Sequence, residues 1–252
     1  MRIRHHASLG LAATACLVLS GCTNAADWNA NRSSQIHSFD TSSIQAQPDI
    51  IAKLPQGALE DGVLDVAAST DYAPAEFLDP SGTAVGYDVD LTNAIAAVLG
   101  VKGKVHTAEF DSIIASIGSK YDAGISSFTV TPERTAEVDM TAYINVGSRF
   151  NVQAGNPKGV ETSDHLKLCG RTIGVQVGTA QETTMRDAAE KCAQAGKPVL
   201  SVRSYSKQSE ATTGLVGGTI DATYSDSTVA GYAVELTDGQ IVTLGDIEDA
   251  AP

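Results

Sequence analysis

Hydrophobic and polar residues follow different patterns before and after residue 63. Residues 23–56 are rich in Asn, Ser, Asp, Gln and Ala and have little apolar periodicity. From Val63 onward, short apolar or β-branched runs alternate with segments of helical period, which predicts an α/β fold. One predicted helix has Leu91, Ile95 and Leu99 on its apolar face. A second predicted helix spans residues 179–194, and the predicted strands span residues 63–68, 104–108, 123–126, 149–154, 172–176, 199–202, 222–224 and 241–244.

The first 22 residues have the pattern of a bacterial lipoprotein signal. Arg2 and Arg4 precede the apolar residues 7–19, and residues 19–22 are Leu-Ser-Gly-Cys. This stretch is too short to cross a bilayer but suits the core of a secretory signal peptide. We therefore expect residues 1–21 to be removed and Cys22 to be lipidated. Residues 22–56 would form a flexible tether that holds an extracytoplasmic protein at the membrane.

The charge of the chain excludes some classes of partner. There are 17 basic and 30 acidic residues, for a formal net charge of -13. Such a surface repels nucleic acid and anionic lipid, so the lipid anchor is the only membrane contact that we expect. Solubility is the ordinary explanation for this acidity.

Two cysteines remain after the predicted processing. Cys16 leaves with the signal and Cys22 carries lipid, which leaves Cys169 and Cys192. An exported protein with two remaining thiols is expected to pair them, with a stabilisation of roughly 3 kcal/mol for a loop of this length. Two free thiols or a metal site are the alternatives. Metal is disfavoured because two cysteines and a solitary His165 do not supply a tetrahedral ligand set.

The segment from Ser126 to Arg134 has the composition of a carboxylate receptor. Thr131 followed by Pro132 predicts a helix N-cap with proline at the first helical position, which leaves the backbone donors of that turn open. Arg134 then falls in the first turn, where a nearby anion would explain a cation and where a guanidinium can grip a carboxylate. The alternative is an exposed arginine paired with Glu137.

An internal repeat indicates two similar lobes. Residues 122–127, Asp-Ala-Gly-Ile-Ser-Ser, align with residues 221–226, Asp-Ala-Thr-Tyr-Ser-Asp. Each segment follows a helical pattern and forms a short predicted strand. The polar residues lie at the carboxyl end of the strand, where open α/β sheets bind ligands.

These segments, together with residues 86–91 (Gly-Tyr-Asp-Val-Asp-Leu) and 174–179 (Gly-Val-Gln-Val-Gly-Thr), resemble the family 3 extracellular solute-binding proteins. That family comprises polar amino-acid receptors of ABC importers. The resemblance runs from about Gly62 to the last residue and implies a two-lobed, type II periplasmic-binding-protein-like fold with a ligand cleft between the lobes. The implied organisation is a first lobe at 57–145, a crossover at 146–150, a second lobe at 151–245 and a second crossover starting at 246–252. Because family members continue past this point, the resemblance also implies a C-terminally truncated chain with an incomplete first lobe.

The resemblance assigns each part of an amino-acid ligand to residues of this chain. Arg134, with backbone donors around Thr129, Gly178 and Thr179, would bind the carboxylate. The ammonium would contact Asp226, Ser126 and Ser127, and the side chain would lie between Tyr72 and Phe110. Ordinary alternatives exist: Gly178 also suits a simple turn, Asp226 could cap the next helix, and both aromatic residues could belong to the core.

The side-chain specificity is open at this point. Where receptors for basic amino acids often have an aspartate, this chain has Ser69, and Asp71 follows two residues later. Gln176 could also face the ligand side chain. A neutral polar ligand is therefore as consistent with the sequence as a basic one.

The sequence favours binding over catalysis. Asp88 and Asp90 could pass for a catalytic pair, but they suit the N-cap and first turn of the helix through Leu91. The chain has no Gly-x-Ser-x-Gly, His-Glu-x-x-His, Walker A or Gly-x-Gly-x-x-Gly motif, so neither cofactor nor metal is predicted. We expect a monomeric, lipid-anchored receptor that delivers a polar amino acid to an ABC permease. A sensing lipoprotein or a dehydratase-like enzyme on the same fold is the alternative.

Overall fold

The computed structural model describes residues 38–251. The predicted signal peptide, the predicted lipidation site Cys22 and the start of the predicted tether lie outside the described residues. Within the described range the chain has two α/β lobes, which confirms the predicted fold class.

The first lobe is built on a small parallel sheet and a separate hairpin sheet. Its strands are β1 (Val63–Ala68), β2 (Asp71–Tyr72), β3 (Glu76–Leu78), β4 (Ala84–Val85), β5 (Lys102–Thr107) and β6 (Ala123–Gly124). Its helices are α1 (Pro48–Ile51), α2 (Tyr87–Leu99), α3 (Ile113–Ser116) and α4 (Pro132–Thr135). The parallel sheet has the order β5-β1-β6, and β2, β3 and β4 form the antiparallel sheet.

Helix α2 begins and ends at glycines for steric reasons. Gly86, the N-cap, has φ 121°, and a β-carbon there would collide with the carbonyl of Ala75. Gly100, the C-cap, is left-handed with φ 70°, a conformation that glycine adopts without penalty. The hairpin and the start of α2 therefore approach each other closely.

Two small hydrophobic clusters fill the first lobe, one on each face of β1. Leu64, Val66 and Ala96 form one cluster, whereas Ala67 packs with Ile113 on the opposite face. Alternate residues of a strand point to opposite faces, so β1 divides this core in two.

A cavity of about 520 Å³ lies beside β6, which is an edge strand of the parallel sheet among the described residues. Its apolar lining consists of Ile114, Ile117, Ile125, Phe128, Val138 and Met140.

The second lobe has one larger mixed sheet. Its strands are β7 (Val146–Gln153), β8 (Thr172–Gln176), β9 (Ser201–Tyr205), β10 (Ala222–Asp226) and β11 (Ile241–Ala251), in the order β11-β7-β10-β8-β9. Helices α5 (Ala180–Gln194), α6 (Gln208–Val216) and α7 (Ser227–Leu236) follow β8, β9 and β10. The parallel strands β10, β8 and β9 bring their carboxyl ends to one edge.

A continuous core holds the second lobe together. Phe150 and Tyr224 stack with ring centroids 4.2 Å apart, and Met185 of α5 is fully buried against the same cluster. Cys169 and Cys192 form a disulfide that ties α5 to the turn before β8, as predicted. Both hydrophobic packing and a covalent crosslink therefore stabilise this lobe.

The predicted strands are accurate where the apolar run is long. The bounds of β1 and β8 agree with the prediction, whereas the crossover at 146–150 and the strand at 149–154 are one continuous strand, β7. Strand β11 runs to Ala251 alongside β7, with register shifts after Leu244 and Glu248. The short strands β2, β3 and β4 were not predicted, because two or three residues carry no period.

The predicted tether does not extend to residue 56. The backbone N–H of Gln47 donates to the carbonyl of Val98 at 2.8 Å, and α1 packs against α2. This part of the chain therefore belongs to the first lobe. No helix within residues 38–251 is long and apolar enough to span a membrane.

Candidate functional site

The two lobes meet around a small cavity that both of them line. Tyr72, Phe110, Ser127, Thr129 and Arg134 come from the first lobe; Thr179, Ala180, Gln181 and Asp226 come from the second. We call this space the ligand cavity. Its volume is about 10 Å³, roughly room for one water molecule, so the lobes are closed on it.

Arg134 reaches the ligand cavity from α4 and spans the cleft. The hydroxyl of Thr131 accepts from the backbone N–H of Arg134 at 3.3 Å, so the predicted N-cap is present. The guanidinium donates to the carbonyl of Thr129 at 2.7 Å and to that of Gly178 at 3.0 Å. Only two of its five N–H donors are used in these bonds, so it can also bind an anion. Its contacts are thus with the cleft rather than with Glu137.

Aromatic rings support the guanidinium. The Arg134 guanidinium carbon lies 5.6 Å from the ring centroid of Phe110 and 5.2 Å from that of Phe128. The two rings stack at 4.5 Å. Burial lowers the pKa of Arg134, but an arginine stays charged at physiological pH. The arrangement holds an oriented cation at the lobe interface, and Phe128 is a contributor that the sequence reasoning did not select.

The second lobe offers fewer free donors than predicted. Thr179 is the N-cap of α5, and its hydroxyl accepts from the N–H of Glu182 at 3.1 Å. The carboxylate of Glu182 in turn accepts from the N–H of Gly178 at 2.7 Å. The prediction that the Gly178 donor is open to a ligand is therefore wrong, because a capping-box acid occupies it.

Gly178 is needed for shape instead. Its φ is 76°, and a β-carbon there would lie 2.8 Å from Cβ of Asp111 in the opposite lobe. Only glycine allows the lobes to approach this closely without displacement.

Asp226 lines the ligand cavity together with Arg134 and is 8% exposed. It is the N-cap residue of α7 by position, yet its side chain makes no capping hydrogen bond. Instead its carboxylate accepts from Nε2 of Gln181 at 2.8 Å, and its backbone N–H donates to the hydroxyl of Tyr72 at 3.2 Å. Burial raises the pKa of Asp226 to about 6 because it disfavours the ionised carboxylate. A ligand ammonium beside Asp226 would favour the ionised form again. The side chain of Asp226 thus does not cap α7, which was the alternative role for this residue.

Gln181 was missed in the sequence. Its Nε2 donates to Asp226 and to the hydroxyl of Ser148 at 2.9 Å. A glutamine in the first turn of a helix gives no signal of its own, because its partner is 45 residues away in the chain.

Ser126 does not face the ligand cavity. Its hydroxyl donates to the fully buried Glu76 and accepts from the backbone N–H of Ser69 at 3.0 Å. The expected contact between this hydroxyl and a ligand ammonium is therefore not formed. Ser127 does line the cavity, and its φ of 47° shows that the loop is held in a left-handed conformation there.

Asp88 positions that loop and is not the predicted helix N-cap. Gly86 is the N-cap of α2, and Asp88 lies inside the first turn with Asp90. The Asp88 carboxylate accepts from the N–H of Ser127 at 2.7 Å and from the hydroxyl of Tyr143 at 2.7 Å. Burial, and then the charge of Asp88, hold the pKa of Glu76 well above its usual range. Asp88 thus has the structural role that we predicted, but it fulfils that role by contacts to the Ser127 loop and not by capping α2.

Tyr72 and Phe110 are both core and cavity residues. They are 6% and 7% exposed, and each lines the ligand cavity. Tyr72 packs against Val229 of the second lobe. Contact with a ligand side chain and membership of the hydrophobic core are thus compatible roles for these two aromatic residues.

Ser69 and Gln176 bridge the lobes behind the cavity. Nε2 of Gln176 donates to the hydroxyl of Ser69 at 3.1 Å and to the carbonyl of Ser206 at 3.2 Å. The Ser69 hydroxyl donates to the carboxylate of Asp71 at 3.0 Å. Asp71 therefore faces this bridge.

Comparisons with known proteins agree with this geometry. The profile of the bacterial extracellular solute-binding proteins, family 3, matches residues 64–237. The arginine-binding protein ArgT of Corynebacterium glutamicum is 32% identical over 249 residues, covering 98% of this chain and 79% of that protein. The L-cystine-binding protein TcyJ of Escherichia coli K12 is 29% identical over 189 residues, covering 74% of this chain and 67% of that protein.

A solved structure is similar over both lobes. An ancestral arginine-binding protein bound to arginine has a TM-score of 0.68 and 30% identity, covering 75% of this chain and 82% of that one.

Proposed function

Because the chain belongs to the bacterial extracellular solute-binding proteins of family 3, we propose that it is a receptor that binds a polar amino acid between its lobes and delivers it to an ABC permease. The observation that carries the proposal is that Arg134 and Asp226 line the same cavity, each from a different lobe. An amino acid has a carboxylate and an ammonium at fixed spacing, so it can pair with both residues at once.

Ligand binding would replace contacts that now join the lobes directly. The guanidinium of Arg134 donates to Gly178 of the second lobe, and Asp226 binds Tyr72 of the first. With room for only one water in the ligand cavity, the lobes must open to admit an amino acid. A ligand carboxylate would then take one face of the guanidinium, and the ammonium would join Gln181 at Asp226. Closure around the ligand gives the permease a shape that differs from the open form.

Membrane attachment is part of the same proposal. The lipobox that ends at Cys22 supports a receptor anchored by its acyl chains, with the residues before the first lobe as tether. We propose that it works as a monomer, since one chain supplies both halves of the cavity. The relatives named above are binding proteins, which supports binding without catalysis.

A thermal-shift screen of the chain from residue 23, freed of its lipid, tests the proposal. A ligand that binds only the native state raises the apparent stability by mass action. We expect one or a few L-amino acids to raise Tm and their D-enantiomers to do so less, because the carboxylate and ammonium would exchange places. If no amino acid shifts Tm and none binds in calorimetry, the proposal is wrong.

A further inference from the structure

A second cavity is lined by chain neighbours of residues that line the ligand cavity. It has a volume of about 100 Å³ and we call it the distal chamber; it is lined by Ser69, Thr70, Asp71, Leu78, Thr107, Ala108, Glu109 and Lys207. Neighbours in the chain face different sides of the wall: Tyr72 and Phe110 line the ligand cavity, whereas Asp71 and Glu109 line the distal chamber. These two pairs of neighbouring residues form the wall between the two spaces.

Two buried hydrogen-bond acceptors at this wall lack partners. Oδ2 of Asp71 and Oε1 of Gln176 are both inaccessible and have no hydrogen-bond partner among the described residues. Gln176 is 1% exposed. The N–H of Ser209 lowers the pKa of Asp71, but it does not reach hydrogen-bond geometry with Oδ2. A buried acceptor without a donor is unfavourable, so both oxygens call for a donor that the chain itself does not supply.

The charges around the wall favour a cationic donor. Burial, with a smaller contribution from the neighbouring Glu109, raises the pKa of Asp71 to about 6, although the hydrogen bond from Ser69 and the charge of Lys207 act to lower it. A carboxylate with that pKa is still mostly ionised at pH 7. The chamber lining has one cationic side chain, Lys207, and two acidic ones, Asp71 and Glu109. An acidic ligand side chain would meet two carboxylates here, whereas a guanidinium or an ammonium would meet unpaired acceptors.

We propose that Asp71 and Gln176 form a distal subsite that takes the cationic end, guanidinium or ammonium, of the side chain of the bound amino acid. The inference rests on the proposed function. The side chain passes between Tyr72 and Phe110 and opens the hydrogen bond from Gln176 to Ser69. Its terminal N–H groups then donate to Oε1 of Gln176 and Oδ2 of Asp71. Asp71 thereby supplies the negative charge that Ser69 lacks.

An inter-lobe latch is the competing role for Asp71. Asp71 is in the first lobe, and the N–H of Ser209, near the N-terminus of α6 in the second lobe, influences its pKa. A latch would stabilise the closed form whatever the ligand side chain is. A subsite would act only on ligands with a cationic end, and this difference can be measured.

Calorimetry with arginine and its neutral isostere citrulline, on the wild type and the Asp71→Asn variant, tests the proposal. We expect the wild type to bind arginine at least tenfold more tightly than citrulline. In Asp71→Asn, arginine should weaken at least tenfold and citrulline by less than threefold, so the preference collapses. Glu109→Gln, which removes the other acid of the chamber, is the matched control and should change the preference less than Asp71→Asn does.

Each other outcome has a definite meaning. If Asp71→Asn weakens both ligands equally, Asp71 is a latch and the inference is wrong. It is also wrong if the variant leaves arginine binding unchanged or if the wild type prefers citrulline. If the wild type binds no amino acid at all, the proposed function itself fails. Asparagine matches aspartate in shape, and thermal unfolding of the variant checks that it folds.

Discussion

The two lobes both line the ligand cavity but are built very differently. The second lobe has a five-stranded sheet, one continuous core and the disulfide between Cys169 and Cys192. The first lobe has two three-stranded sheets, a core divided by β1 and a large cavity beside the short strand β6. The two halves of a binding site can therefore differ in how extensively they are packed and crosslinked. Here the second lobe is the more extensively packed half, and the first lobe provides Arg134, Tyr72 and Phe110.

The largest expected effect tests the contribution of the first lobe to binding. Arg134→Ala should weaken amino-acid binding by roughly 2 to 5 kcal/mol, because a desolvated charge partner is lost. Arg134→Lys should weaken it less, since the charge remains but the planar fork does not. Calorimetry measures both, with Arg171→Ala as a control, because Arg171 donates to Gly159 and does not line the cavity. Near-normal affinity in Arg134→Ala would remove this residue from the site.

A matched substitution tests the second lobe. Asp226→Asn should weaken binding by a comparable amount, roughly 2 to 5 kcal/mol, if the carboxylate holds the ammonium. A helix cap would tolerate asparagine well, because both residues are good N-caps. Calorimetry with the ligand from the screen distinguishes the two roles. Unchanged affinity would mean that Asp226 serves the structure alone.

Removal of the disulfide should reduce the difference in stability between the lobes. Replacing Cys169 and Cys192 together with serine should lower the free energy of unfolding by roughly 3 kcal/mol, because a crosslink restricts the unfolded chain. Urea unfolding measures this, and wild type with reductant is the control. Alkylation without reductant followed by intact mass should label neither cysteine. Two labelled cysteines would contradict the bond.

Acid should weaken binding and stabilise the free protein. The pKa of Asp226 rises from an ordinary value of 3.8 to about 6 in the fold, so the native state binds more protons than the unfolded state between these values. Stability of the free protein therefore falls as pH rises from about 4 to about 6. Binding has the opposite sign, because an ammonium pairs only with the ionised carboxylate.

Calorimetry across pH checks this. Affinity should be about tenfold weaker at pH 5 than well above pH 6 for one such group, since each pKa unit is worth about 1.4 kcal/mol. Asp71, also raised to about 6, would steepen the profile for a cationic ligand. A flat profile between pH 5 and 7.5 would contradict the role of Asp226.

The smallest expected effect concerns local stability. Limited proteolysis of the free protein should cut residues 57–145 severalfold faster than residues 151–245, because local opening follows the less extensively packed region. Mass spectrometry of the early fragments locates the cuts. Ligand should slow the cleavage by holding the first lobe against the second. Equal resistance of both lobes would show that the divided core does not lower local stability.

The local chemistry of the sequence determined a substantial part of this protein. The strands β1 and β8, the N-caps at Thr131 and Thr179 and the pairing of Cys169 with Cys192 follow from apolar runs, capping residues and composition. These features depend on a few adjacent residues or on the chain as a whole. The same short motifs indicated the family and the cavity residues Tyr72, Phe110, Arg134 and Asp226.

Only the tertiary structure decided how the polar groups are paired. Glu182 occupies the N–H of Gly178, Glu76 takes the hydroxyl of Ser126, and Gln181 binds Asp226. A polar side chain accepts whichever partner the fold brings within about 3 Å, and no periodicity in the sequence records that choice. Hydrophobic pattern thus determined the α/β elements and the internal repeat indicated two lobes, whereas the donors and acceptors left free for a ligand depended on contacts between residues far apart in the chain.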